Sequence, residues 1–124
     1  MFQQPMLFVA TTRPEAALAF YRDQLGFALQ VDSPFAVVLD ADGFALRLQK
    51  VPHHTPPQHT VLGWQVASIE AAMATLASRG VAFLTFPGMG QDAQGVWTTP
   101  DGARVCWFAD PDGNTLSLTE LPST

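Results

Sequence analysis

Residues 14–19 read Pro14-Glu15-Ala16-Ala17-Leu18-Ala19, and residues 69–74 repeat this pattern as Ile69-Glu70-Ala71-Ala72-Met73-Ala74. The two stretches also end alike, at Leu25-Gly26 and at Arg79-Gly80. A repeat separated by nearly half the chain is typical of a duplicated supersecondary unit. It predicts a fold with two equivalent halves. It also indicates that any functional chemistry lies where these halves face each other.

The composition indicates a single globular domain and excludes some classes of partner. Of the 124 residues, 48% are hydrophobic and 14% are charged, which argues against a disordered chain. The net charge of −5 and the scattered basic residues argue against nucleic acid and membrane partners. The single cysteine, Cys106, and the lack of a signal-peptide pattern lead us to expect a cytoplasmic protein.

Hydrophobic patterns in the first half predict the order β-α-β-β-β. We expect a buried strand at Met6–Ala10, followed by a helix with Pro14 in its first turn. Thr12 lies three residues before Glu15, which is the spacing of a capping box. The last two of the remaining strands are joined by a turn at residues 40–43. These predicted strands are Phe27–Val31, Phe35–Asp40 and Phe44–Gln49.

The second half broadly repeats this order. It begins with a strand at Val61–Val66 and a helix at Ile69–Arg79 that Ser68 caps. The later predicted strands are Val81–Phe86, Val96–Thr99, Arg104–Ala109 and Thr115–Leu121. We therefore predict one α+β domain over residues 1–124, with modules at 1–51 and 61–124 and a Pro-rich linker at 52–60. Its two curled mixed sheets would surround a central cavity, with the helices outside.

Two segments resemble signatures of the vicinal oxygen chelate superfamily, which includes glyoxalases, bleomycin-resistance proteins and extradiol dioxygenases. They are Phe20-Tyr21-Arg22-Asp23-Gln24-Leu25-Gly26-Phe27 and Trp107-Phe108-Ala109-Asp110-Pro111-Asp112-Gly113-Asn114-Thr115-Leu116-Ser117-Leu118. The resemblance implies paired β-α-β-β-β modules and commonly a homodimer. It does not imply one reaction, because members include isomerases, ring-cleaving dioxygenases, thiol transferases and proteins that only sequester drugs.

The resemblance also implies where a metal would bind. Metal-using relatives take His, Glu or Gln ligands from the first and last strands of each module. The repeat pairs Met6 with Val61, and alignment of the last strands pairs Arg47 with Ser117. Because none of these side chains suits a hard divalent ion, we expect no metal and no cofactor there. A shift of two residues would instead offer His59 and Gln49, as ligands of a metal-dependent lyase, isomerase or dioxygenase.

The same positions predict a cavity that binds a small organic molecule. Arg47 alternates with apolar residues on its strand, so it lies either on a solvated face or in the cavity. In the cavity, its guanidinium would hold an anionic group. Trp97 and Phe8 would give apolar contact, and Ser117 a hydrogen bond. The other expected lining residues are Gln49, Met6 and Val61.

The remaining candidate residues have competing interpretations. The linker residues His53, His54 and His59 are interpreted as a solvated loop rather than a metal cluster. His59 is also a candidate general base for a metal-free enzyme, while other catalytic residues are unknown. The glycine-containing stretch Gly88–Gly95 is either a mobile lid over the cavity or a plain surface loop. Cys106 is expected to be a buried, inert thiol. We favour a binding or sequestering protein.

Overall fold

The computed structural model describes residues 1–123 and divides them into two compact units. The first comprises Met1–Pro56 and Asp110–Asn114, and the second comprises the rest of the described chain. The first boundary falls inside the predicted linker. Residues 110–114, which fall within the bounds predicted for the second module, belong to the first unit.

The first unit contains one helix and a four-stranded sheet. The helix α1 (Pro14–Ala19) continues as a π-helical turn over Phe20–Gln24. The sheet has the order β1-β4-β3-β2, with β1 parallel to β4 and the other pairs antiparallel. One face of this sheet and the helix supply buried apolar side chains that form the core of the unit. The strands are β1 (Leu7–Thr11), β2 (Ala28–Asp32), β3 (Ala36–Ala41) and β4 (Phe44–Lys50).

The second unit repeats this arrangement. A single helix, α2 (Ile69–Ser78), accompanies a sheet with the order β5-β8-β7-β6, again with one parallel pair. The predicted fold class, α+β with two βαβββ modules, is therefore confirmed. The strands are β5 (Thr60–Gln65), β6 (Trp97–Thr98), β7 (Arg104–Ala109) and β8 (Thr115–Glu120).

The two helices begin differently. Ser68 caps α2 as predicted, since its hydroxyl accepts a hydrogen bond from the N–H of Ala71 at 3.2 Å. The predicted capping box of α1 is wrong. Arg13 occupies the cap position without a side-chain cap bond, and the Thr12 hydroxyl donates instead to Asp112 at 2.7 Å. The competing carboxylate of Asp112 removes Thr12 from the helix end.

The predicted strand Val81–Phe86 is also wrong. Only Phe83 pairs with β7, in a single bridge to Phe108, and Leu84 donates its N–H to the carbonyl of Trp107 at 2.8 Å. The chain then leaves the sheet, because the N–H of Phe86 donates to the side chain of Gln91 at 2.6 Å. A side-chain amide thus replaces the strand partner that Phe86 would need.

A buried polar network secures the turn at residues 110–114. Asp110 is only 6% exposed, yet its carboxylate accepts four hydrogen bonds. Its Oδ2 accepts from the Tyr21 hydroxyl at 2.8 Å and the Asn114 amide at 2.9 Å. Its Oδ1 accepts the N–H groups of Asp112 and Asn114, both at 2.9 Å. Burial, together with the neighbouring Asp110 carboxylate, raises the pKa of Tyr21, so its hydroxyl remains a donor.

The linker is held against the same turn. His54 is partly buried, with its Nε2 2.7 Å from Oδ1 of Asn114. Because the Asn114 amide nitrogen already donates to Ala10 and Asp110, Oδ1 is the acceptor and Nε2 of His54 the donor. The prediction that the linker histidines are merely solvated is therefore wrong for His54, whereas His53 is exposed.

Candidate ligand-binding site

The sheet face of the first unit opposite its buried core carries Arg47. Leu46 and Leu48 are buried on the core side, so Arg47 between them lies on the other face. Strand register places Phe8 and Val38 on either side of Arg47. Phe8 is 52% exposed, so this face presents apolar side chains as well as the cation.

The guanidinium of Arg47 lacks a counterion. Within residues 1–123, it makes no hydrogen bond or salt bridge, although its side chain is half-buried. Other basic side chains have partners: Lys50 binds Asp32 at 2.9 Å, and Arg104 binds Glu70 at 3.1 Å. A guanidinium without a partner keeps its hydrogen-bond donors free for a ligand. The structure therefore places Arg47 where an anion could bind it.

Two other residues predicted for this site, Met6 and Gln49, lie close to Arg47 along the strands, but neither is its direct strand neighbour. Met6 immediately precedes β1 and is 58% exposed, so Phe8 rather than Met6 is the neighbour of Arg47. Gln49 lies two residues beyond Arg47 on the same face of β4 and is exposed. Neither side chain has a bond to Arg47.

The corresponding face of the second sheet carries Ser117. Its strand neighbours are Gly63 on β5 and Trp107 on β7. A Cβ added at Gly63 would lie 2.5 Å from Oγ of Ser117, so the hydroxyl occupies space that only glycine leaves free. Ser117 is 9% exposed. Val61 falls in an irregular stretch of the β5–β8 pairing, between Thr60 and Leu62, and has no register partner there.

Trp107 is the centre of an aromatic cluster. The ring of Phe86 meets it nearly at a right angle, with centroids 5.6 Å apart. The ring of Trp97 stacks on it at 6.3 Å, with an interplanar angle of 29°. Such edge-on and offset arrangements are favoured between aromatic rings. Trp97 therefore supports Trp107, and its predicted apolar contact with a ligand stays a prediction.

A pocket of about 500 Å³ opens beside this cluster, within the second unit. We call it the aromatic pocket. Its apolar wall consists of Trp107, Phe86 and Met89. Its polar residues include His59, Thr60 and Thr115. Pockets of this size, mostly apolar with a few polar groups, are typical small-molecule sites.

Sequence reasoning found only part of this pocket. It singled out His59, which lines the pocket, but did not assign Trp107 to the site. Trp107 alternates with the buried Cys106 and Phe108, so strand periodicity already puts it on the opposite face. That signal was available. Phe86 was missed because it was assigned to a strand, and Met89 because it stood in a loop without periodicity.

The family's metal positions do not fit a divalent ion in this chain. A thioether, a guanidinium, an alkyl group and a serine hydroxyl offer no anionic or imidazole donor, and the guanidinium would repel a cation. These residues are Met6, Arg47, Val61 and Ser117. In the part of the chain that the structure describes, no three His, Cys, Asp or Glu side chains are grouped as a metal site.

Cys106 is buried, as predicted, with no exposed surface. Burial raises the pKa of its thiol to about 11, despite an opposing hydrogen bond with the backbone of Leu118. The thiolate is therefore scarce at neutral pH, which makes this cysteine a poor nucleophile.

The arrangement of two βαβββ units agrees with the family and the solved structures to which this chain is similar. The family model for the Glyoxalase/Bleomycin resistance protein/Dioxygenase superfamily matches residues 3–118. The chain belongs to this superfamily. Among the described residues, this superfamily member has no helix long and apolar enough to cross a membrane. No curated protein is significantly similar to it in sequence.

Solved structures extend the similarity over almost the whole chain. A glyoxalase/bleomycin resistance protein/dioxygenase from Alicyclobacillus acidocaldarius is 18% identical, with a TM-score of 0.74 over 98% of this chain and 92% of that chain. TnmS3, an antibiotic-binding protein from Streptomyces sp. CB03234, is 26% identical, with a TM-score of 0.70 over 99% of each chain. The integron cassette protein HFX_CASS4, from the mobile metagenome of the Halifax Harbour sewage outfall, is also 26% identical. Its TM-score is 0.67 over 96% of this chain and 100% of that chain.

Proposed function

We propose that this superfamily member binds a small organic molecule in its aromatic pocket and needs no metal at the family positions to do so. The observation that carries the proposal is the pocket of about 500 Å³ walled by Trp107, Phe86 and Met89. The similarity to TnmS3, which is described as antibiotic-binding, supports binding rather than a particular reaction.

Exposed apolar surface in the wall provides the driving force. Phe86 and Met89 are each 38% exposed. A ligand that covers them gains about 25 cal/mol for each Å² of apolar surface removed from water. A planar ring against Trp107 adds about 0.5–1.5 kcal/mol from aromatic geometry. These terms favour a flat aromatic ligand over an aliphatic one of equal size.

Arg47 is proposed as a separate anion-binding residue on the first sheet. Its guanidinium, which has no partner among residues 1–123 and ends a partly buried side chain, supports this role. A carboxylate, sulfonate or phosphonate would satisfy it with a charge-assisted hydrogen bond. An anion bound on this face of the first sheet would therefore depend on Arg47, whereas binding of a neutral compound in the aromatic pocket would not.

The absence of a family metal is a further part of the proposal. Elemental analysis of protein purified without a histidine tag tests it, and we expect no stoichiometric nickel, zinc, manganese or iron. One metal per chain would instead favour an enzyme with ligands such as His59 and Gln49. A homodimer and a cytoplasmic location also remain proposals, which size-exclusion chromatography with light scattering and cell fractionation would test.

Binding to the aromatic pocket can be measured with N-phenyl-1-naphthylamine, a neutral aromatic compound that fluoresces when it leaves water. We expect Trp107→Leu to weaken its binding about 10-fold to 100-fold, because stacking and apolar contact are both lost. Trp64→Leu, the same substitution elsewhere on the second sheet, is the control. Unchanged affinity in Trp107→Leu would exclude the aromatic pocket, and no binding by the wild type would refute the proposal.

The position of His59 supports a second candidate function. This imidazole lines the aromatic pocket, so it could remove a proton from a bound molecule. Mass spectrometry of compounds recovered after incubation distinguishes a catalyst from a binder. Chemical change that His59→Gln abolishes would favour the enzyme, whereas unchanged compounds throughout would favour the binding protein.

A further inference from the structure

We infer that Gln91 is the positioning residue of the aromatic pocket, holding Phe86 and Met89 in place so that this wall is already formed when a ligand arrives. The inference rests on the proposed function. It differs from both alternatives predicted for residues 88–95, a mobile lid and a plain surface loop, because it makes this segment part of a fixed wall that one side chain positions.

The amide of Gln91 joins three points of the backbone. Its Oε1 accepts the N–H of Phe86 at 2.6 Å. Its Nε2 donates to the carbonyl of Leu84 at 3.0 Å and to that of Gly95 at 2.7 Å. Both amide hydrogens and one acceptor site are therefore used. The side chain of Gln91 therefore forms hydrogen bonds with both ends of the segment 86–96.

Asp92 and Gly95 close the far end of this segment. Oδ1 of Asp92 accepts the N–H groups of Gln94 and Val96, both at 2.9 Å. The hydrogen bond from Val96 lowers the pKa of Asp92 despite some desolvation, so the carboxylate stays charged. Gly95 has φ of +97°, and a Cβ there would lie 3.2 Å from the Leu84 carbonyl. Only glycine fits this approach without strain.

Burial alone does not hold the wall residues. Phe86 and Met89 each leave 38% of their surface exposed, and the N–H of Met89 reaches only the carbonyl of Phe86, at 3.3 Å. Their positions therefore depend on the backbone path that Gln91 sets. Because Gln91 is itself partly exposed, removing its amide should disturb the wall more than the core.

The test compares Gln91→Met with Gln94→Met. Methionine keeps the length of glutamine but cannot make the three bonds. Gln94 lies in the same segment, and its side chain is exposed. With N-phenyl-1-naphthylamine as the probe, we expect Gln91→Met to weaken binding about 5-fold to 20-fold, since the wall must now be ordered on binding. Gln94→Met should bind like the wild type.

Two further measurements separate positioning from general stability. Stopped-flow association should be a single phase, linear in probe concentration, for the wild type. Gln91→Met should add a slow phase that saturates. Hydrogen exchange at the N–H of Met89, which donates to the carbonyl of Phe86 and not to Gln91, should accelerate in Gln91→Met and remain unchanged in Gln94→Met. Neither effect is expected if Gln91 only contributes to thermal stability.

Each outcome decides the matter. If Gln91→Met loses melting temperature but keeps the affinity and the single phase, the inference is overturned while the proposed function stands. Equal weakening in both variants overturns it as well. If the wild type fails to bind the probe, the proposed function falls and the inference with it. Selective weakening together with the slow phase and the faster exchange supports it.

Discussion

The two sheets share one backbone pattern but differ in their side chains at equivalent positions. In each sheet, the last strand of the unit has a parallel neighbour on one side and an antiparallel neighbour on the other. In the first sheet, this strand places Arg47 between a large aromatic side chain and a small aliphatic one. In the second sheet, Ser117 lies between a glycine and a large aromatic. The flanking residues are Phe8 and Val38 in the first sheet, and Gly63 and Trp107 in the second.

This difference shows that the repeat specifies the backbone arrangement of the two sheets but not the side chains on their open faces. Strand order and register depend on backbone hydrogen bonds and on the buried face, which both units conserve in pattern. The open face is not constrained in this way, so one sheet presents a cation and the other an aromatic wall. The closing turns differ as well. Asp40 makes one exposed hydrogen bond to the N–H of Gly43 at 2.8 Å, whereas the buried Asp110 accepts four.

The largest expected effect is on these two turns. Asp110→Ala should lower the free energy of unfolding by about 3–5 kcal/mol, because it leaves the buried Tyr21 hydroxyl and Asn114 amide without their acceptor. Asp40→Ala, at the equivalent exposed turn, should cost about 1 kcal/mol or less. Urea denaturation measures both. Similar losses in the two variants would show that the buried network contributes no more than an ordinary turn.

The next effect concerns the unpaired cation of the first sheet. Arg47→Ala should weaken the binding of an anionic ligand by about 1–3 kcal/mol, which is the scale of a lost charged hydrogen bond. The probe is 8-anilinonaphthalene-1-sulfonate, whose sulfonate would bind Arg47 on the first sheet, and the neutral probe of the aromatic pocket is the control. Only the sulfonated probe should lose affinity. If it binds Arg47→Ala as tightly as the wild type, Arg47 is not an anion-binding residue.

The close approach of Gly63 and Ser117 in the second sheet can be tested as well. Gly63→Ala should cost about 1–3 kcal/mol in stability, since its Cβ would lie 2.5 Å from Oγ of Ser117. The double variant Gly63→Ala, Ser117→Ala removes the clash and should recover most of that loss. Chemical denaturation of the two single variants and the double variant gives the coupling energy. Additive losses would mean that Ser117 simply rotates away at no cost.

Local patterns were enough to predict most of this architecture. The bounds of Arg104–Ala109 were predicted without error, because strand alternation and flanking turns are local signals. Phe86 and Thr12 were misassigned because their hydrogen-bond partners, Gln91 and Asp112, are side chains that propensity does not consider. The open-face position of Trp107 could be read from alternation. Its pocket could not, since a loop supplies the opposite wall.

The smallest expected effect is a pH dependence that distinguishes the two turns. Burial tends to raise the pKa of Asp112, but hydrogen bonds from Thr11 and Thr12, with the charge of His54 adding to them, lower it overall. A carboxylate whose folded-state pKa is lowered contributes stability above its ordinary pKa of about 3.9 and loses it as the pH falls through the folded value. Asp112→Asn should therefore reduce stability at pH 7 by about 1 kcal/mol. Below about pH 4, the stability of this variant should fall less steeply than that of the wild type.

Asp42→Asn is the control, since it changes the equivalent residue of the other turn, whose carboxylate has no hydrogen bond within the described chain. Urea midpoints at a series of pH values should separate the two variants, and identical acid profiles for Asp112→Asn and the wild type would mean that the threonine bonds do not stabilise the charged form.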